Sequence, residues 1–142
     1  MPLMWVLLWV AAVCAAADGR CIRQARTWGG DGPATNLVVV NGHAFFGGYT
    51  IRIANLEDPA DPVVVGELRT GGLVADLKAW DDRVYATDRS AELYVIDAAA
   101  PAASSIAASV VIDDSFRRLH LIDVSEGIAV VAAGRYWAAP FQ

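Results

Sequence analysis

The side chains that most often do chemistry are sparse in this chain. His43 and His120 are its only histidines, and together with Asp76 or Asp123 they offer the donor types of a transition-metal site. His43 follows a turn and His120 sits in an alternating apolar run, so a turn residue and a strand residue are the plainer expectation. The pairs Asp81-Asp82 and Asp113-Asp114 carry oxygen donors suited to Ca²⁺, but the surrounding sequence adds too few further ligands, and turn capping is expected instead. There is no G-x-S-x-G elbow, H-E-x-x-H, C-x-x-C or phosphate-cradling glycine loop; the single lysine, Lys78, follows Leu77 and not a glycine. The sequence therefore assigns no catalytic, cofactor-binding or metal-ligating residue, no cofactor and no enzymatic activity.

The aromatic residues pose a second choice. Trp28, Trp80 and Trp137, with Phe45, Phe46, Tyr49, Tyr85 and Tyr94, are of the types that stack on sugar rings. At strand positions such residues more commonly fill the space between packed sheets, and that is the expectation here.

The chain has 142 residues, 56% of them hydrophobic and 19% charged, which suits one domain and excludes a disordered tail. Its net charge is -5, and because residues 1–17 carry no charged side chain, all of it belongs to residues 18–142. An acidic surface of this kind argues against nucleic acid as a partner.

The uninterrupted apolar run from Leu3 to Ala17 is shorter than the ~20 residues of a membrane-spanning helix. Ala15 and Ala17 occupy the small-residue positions of an A-x-A cleavage site and Asp18 opens the polar sequence, so residues 1–17 read as a signal peptide cut after Ala17. A retained apolar anchor and lipidation at Cys14 are the alternatives. Lipidation fits less well, because Val13 is bulky and no Leu stands three residues before the Cys. The expected location is thus periplasmic, extracellular or on the cell surface, without a stable membrane span after cleavage. Cys21 is then the one thiol left, which rules out an internal disulfide. Residues 18–34, with Gly29, Gly30, Gly32 and Pro33 in close succession, read as a flexible leader.

From Thr35 onward the sequence repeats. Asn41-Gly42 matches Asp81-Asp82 as a turn and Ala44-Phe45 matches Val84-Tyr85 as the strand after it, at an offset of 40 residues. Ile51 to Asn55 matches Leu93 to Asp97, and Pro59 matches Pro101, at an offset of 42. A third copy begins at Leu119, turns at Ser125-Glu126-Gly127 and covers only half a unit. The runs rich in Val, Ile, Leu, Phe and Tyr predict strands at 37–40, 43–47, 50–55 and 63–68, then 74–79, 83–88, 92–97 and 105–111. The Ala-rich stretch 98–108, interrupted by Pro101 and Ser104-Ser105, reads as a loop.

A four-stranded unit of ~40–45 residues is the size of a β-propeller blade. The segment Glu92 to Pro101, ELYVIDAAAP, and the segment TIRIANLEDPADPVVVG from Thr50 resemble the LVIVD repeat of bacterial exported propellers. Asn55 stands where that repeat has Asp, and Ser104 replaces its second Pro in the other copy. The resemblance spans about residues 35–137 and implies a fold and an export route, with no shared reaction. Asn55, Pro59, Asp97 and Pro101 match its turn positions and are expected to shape the backbone.

The resulting expectation is an all-β chain: an incomplete β-propeller of about two and a half four-stranded blades over residues 35–142. Propellers use about four to eight blades, so the apolar faces of the end blades should stay open to another protein or to further blades of a longer propeller. No polar cluster at inner-strand positions is seen to repeat between copies. That favours an exported, non-catalytic interaction or cell-surface scaffold, truncated or assembled with other pieces; the alternative is a fragment of a propeller-type hydrolase whose active site lies in missing blades.

Overall fold

The computed structural model describes residues 7–13, 22–29, 34–112 and 118–134, with side chains at 34–112 and 121–133. Its strands are β1 (Leu7–Val13), β2 (Ile22–Gly29), β3 (Asn36–Val40), β4 (His43–Gly47), β5 (Thr50–Asn55), β6 (Val63–Arg69), β7 (Val74–Trp80), β8 (Arg83–Asp88), β9 (Glu92–Asp97), β10 (Ser105–Val111), β11 (Arg118–Ser125) and β12 (Ile128–Gly134). The chain is all-β. Among the described residues there is no α-helix, and the one helical turn is a 3-10 turn at Pro101–Ala103; the stretch 98–108, expected to be a loop, is one only up to Ser104, because β10 begins at Ser105.

Strands β3 to β6 form one antiparallel meander and β7 to β10 a second, each in sequence order; β11 pairs with β12, and β1 with β2. No sheet closes on itself. The apolar run of the expected signal peptide and the expected leader contribute the β1–β2 hairpin. The cleavage point after Ala17, both cysteines, and Asp113-Asp114 lie outside the described residues.

Tight turns fix the register. Asn41 and Gly42 have φ of 48° and 70°, and Glu126 and Gly127 have 50° and 76°, the paired left-handed geometry whose twist matches that of a two-residue hairpin. Asp81 takes φ 48° at the same point of the second meander. Irregularities recur in register as well: β6 bulges opposite Ile53-Ala54 and β10 opposite the equivalent Val95-Ile96. Asn55 Oδ1 accepts the amide of Glu57 at 2.7 Å, and Asp97 Oδ1 accepts that of Ala99 at 3.0 Å, so both strand ends are capped the same way.

The core lies between the two meanders. Val40, Phe45, Ile51 and Ile53 of the first pack on Val74, Leu77, Val84 and Ile96 of the second, all of them buried. Gly47 permits this approach: a Cβ there would fall 2.6 Å from Val74 Cγ1. The outward face of β7–β8, carrying Tyr85, meets β11, whose Ile122 is buried. The first strands β3, β7 and β11 therefore stand side by side, and the three sheets from β3 onward stack in sequence order.

Candidate functional site

The first strand of each meander pairs along one edge only, which leaves a line of backbone groups on the other edge in need of partners. Two polar side chains supply them. Asn36 Oδ1 accepts the amide of Leu37 at 2.7 Å, and Asp76 Oδ1 accepts the amide of Leu77 at 2.9 Å. These residues are 40 positions apart and occupy the same place in their strands. Asp76 does more, because Asn36 Nδ2 donates to its Oδ1 and the amide of Ile122 donates to its Oδ2 at 3.0 Å. A single buried carboxylate thus ties β3, β7 and β11 together. Thr35 Oγ1 adds a bond to the Val74 carbonyl at 2.7 Å, and the Val74 amide donates to Gly48 O at 2.9 Å.

This arrangement departs from the expectation that no inner-strand polar cluster repeats. Asn36-Leu37 and Asp76-Leu77 were legible as matching dipeptides at the same offset as the turns. Each of the pair's described partners donates a hydrogen bond, and none is a nucleophile or a second acid, so the cluster positions sheets.

A second polar group pins the connection from β6 to β7. Asp88 is buried; its Oδ1 accepts the amides of Ser90 at 2.9 Å and Glu92 at 3.1 Å, and its Oδ2 accepts the Tyr94 hydroxyl at 3.0 Å. Glu92 Oε2 lies 2.8 Å from the same hydroxyl, which itself accepts the Gly71 amide at 2.8 Å. Burial, with the two carboxylates beside it, pushes the Tyr94 hydroxyl well above the usual tyrosine range, so it stays protonated.

Among the described residues a concavity lies at the turn end, between the second meander and the third hairpin. It is a cleft of about 570 Å³ lined by Trp80, Asp82, Arg83, Tyr85, Asp97 and Gly127, among others. Asp82 Oδ1 is engaged by Asn41 Nδ2 at 2.9 Å, and Asp97 Oδ1 caps Ala99. The described residues lining the cleft include no Ser, Thr, Cys, Lys or His, so the cleft holds polar and aromatic contact groups without a nucleophile and base pair.

The other candidates are scattered. His43 Nδ1 donates to the Asn41 carbonyl at 2.9 Å, inside its own turn. The side chain of His120 lies outside the described ones, Asp76 is occupied as above, and Asp123 Oδ1 accepts the Val124 amide at 3.0 Å. Among the described residues no group of three or more His, Cys, Asp or Glu is placed to hold a metal. Of the aromatic residues, Phe45, Phe46, Tyr85 and Tyr94 are buried, Trp80 is half-buried at the cleft and Tyr49 is exposed. The side chains of Trp28 and Trp137 lie outside the described ones.

No described helix is long and apolar enough to cross a membrane. No family model matches the chain, and no curated protein matches it.

Proposed function

We propose that the chain is an exported, non-catalytic repeat protein of the LVIVD type, a partial β-propeller that works as a scaffold by holding another protein, or further blades, against its end faces. One observation carries this reading: repeat positions buried inside the stack are open on the outer face of the third hairpin and along β3 of the first meander, although the middle of that meander's outer face, at Ala44, Phe46 and Ala54, is buried. The residue three before the last of the first strand is Leu77 in the second meander, Ile122 in the third hairpin and Leu37 in the first meander, with exposures of 1%, 2% and 40%. The third residue of the second strand is Phe45, Tyr85 and Val130 in turn, at 0%, 6% and 66%. Apolar side chains kept at such positions mark surfaces made to be covered. The recurring turns, caps and bulges support the repeat reading, and the run Leu3 to Ala17 supports export.

Two measurements test it. A reporter fused after residue 34 should be exported and active outside the cytoplasm; retention inside the cell removes the export half of the proposal. Dilute full-length chain should bind a hydrophobic dye, and its β11–β12 amides should exchange far faster than those of β7–β9. A dye-silent chain with uniformly slow exchange is incompatible with open end faces.

A further inference from the structure

The cleft at the turn end marks where the second interface departs from the first. At the first interface the matching ground is closed: Val40 and Phe45 are buried, and Asn41 Nδ2 donates to Asp82 Oδ1 at 2.9 Å and to the Ala98 carbonyl at 3.1 Å. At the second, the same repeat positions hold Trp80 for Val40, Tyr85 for Phe45 and Asp97 for Asn55, and the neighbour brings Gly127 where Asp82 stood. Gly127 lies against the Trp80 ring, an added Cβ there falling 3.5 Å from Cζ3, and it has no side chain to reach further. Two aromatic residues thus border a space that the third hairpin does not fill.

Tyr85 points independently to a ligand. It is only 6% exposed and lines the cleft, and its hydroxyl makes no hydrogen bond among the described residues. That oxygen is nevertheless not sealed in as the Thr87 hydroxyl is. A nearly buried phenol left unpaired beside a cleft is set to meet a polar group there. Carboxylates dominate the lining, with Asp81, Asp82 and Asp97 against the one guanidinium of Arg83. Among the described residues Arg83 is ion-paired with none of them. Ala99 and Ala107 add an apolar stretch.

We propose that this cleft binds a small organic cation, an amine or guanidine whose charged head sits among the three carboxylates and the Tyr85 hydroxyl while its aryl or alkyl body lies on Trp80. Charge decides the sign, because an aromatic face and a carboxylate both attract a cation and neither holds an anion. Volume decides the size: about 570 Å³ suits a whole small molecule and far exceeds a bare ion. The cleft lies between two stacked sheets and not on an end face, so its occupancy and the docking of a partner there succeed or fail separately.

Calorimetric titration of the full-length chain with three probes of one shape tests this: phenethylammonium, phenethyl alcohol and hydrocinnamate. The cation should bind, the alcohol about tenfold more weakly, and the anion not at all. Added salt should weaken the cation alone. Tyr85→Phe and Asp97→Asn import the residue types of the first meander, where Asn55 makes the same cap, so both should fold as wild type does. Each should weaken the cation by roughly threefold to tenfold, and Asp97→Asn should leave the alcohol unchanged. Trp80→Leu should weaken cation and alcohol alike, by about tenfold; if it fails to melt cooperatively, the two imported residues carry the test. Equal binding of cation and alcohol, a preference for the anion or for a neutral sugar such as methyl glucoside, or no binding of any probe overturns the proposal. So does an Asp97→Asn chain that binds the cation as tightly as wild type.

Discussion

The two interfaces inside the chain use the same strand positions and reach different degrees of closure. At the first, four strands face four: Ile51 and Ile53 of β5 are buried, and Gly47 lets Val74 press close. At the second, four strands face two. Leu93 and Val95, the β9 counterparts of those isoleucines, are only half-buried, and Trp80 borders the open cleft. Thr87, which stands where Gly47 does, is buried with no hydrogen-bond partner for its hydroxyl among the described residues. At the β5 and β9 positions, where the residue types are alike, burial follows how many strands the neighbour brings; along the first strands the types differ as well, Val38 and Val40 against Lys78 and Trp80.

The contrast can be broken most strongly at β5 and β9. Ile53→Ala should cost about 3–4 kcal/mol by leaving a cavity in the closed interface, whereas Val95→Ala should cost about 1 kcal/mol. Equal losses in urea unfolding would show that the two interfaces are equally packed. Asp76 serves both interfaces, so Asp76→Ala should cost about 3 kcal/mol, because three donors lose a charged acceptor; a loss below about 1 kcal/mol would mean that water replaces it.

Tyr94→Phe should cost about 1.5 kcal/mol by stranding the Gly71 amide and freeing the carboxylates of Asp88 and Glu92. Its sign with pH follows from the raised value in the fold. An unfolded tyrosine ionises near pH 10 while folded Tyr94 holds its proton, so this contribution is complete below about pH 10 and fades as pH climbs further. The alkaline loss of stability should be shallower in the Phe variant; an unchanged slope assigns it to other groups. The smallest expected change is a gain: Thr87→Val should add about 1 kcal/mol, since a methyl replaces a buried hydroxyl without a partner. A loss instead would reveal a bond to that hydroxyl.

Most of the strand layout was legible beforehand. The β-branched and aromatic runs, broken by Asn41-Gly42 and Asp81-Asp82, placed the strands of the two meanders within a residue of where they fall, and Glu126-Gly127 marked the turn of the third hairpin. Local periodicity carries that information because strand and turn are local choices. The inner cluster was harder, because Asn36 and Asp76 are different residue types and only the Leu that follows each, at the offset of the turns, marks them as equivalent. The cleft was not legible at all: Trp80, Asp82 and Tyr85 line it only because the third hairpin brings Gly127 over them, a fact of sheet stacking that no short window contains.

The Asp76 carboxylate has a bearing on how the chain acquires its shape. One oxygen is satisfied from the sheet before it and the other from the hairpin after it, so the middle leaflet cannot bury this acid comfortably until both flanks have arrived. Stacked units otherwise melt piecemeal, each answering to its neighbour alone. Here a charge shared three ways couples neighbouring units, so the middle leaflet should lose stability whenever either flank opens.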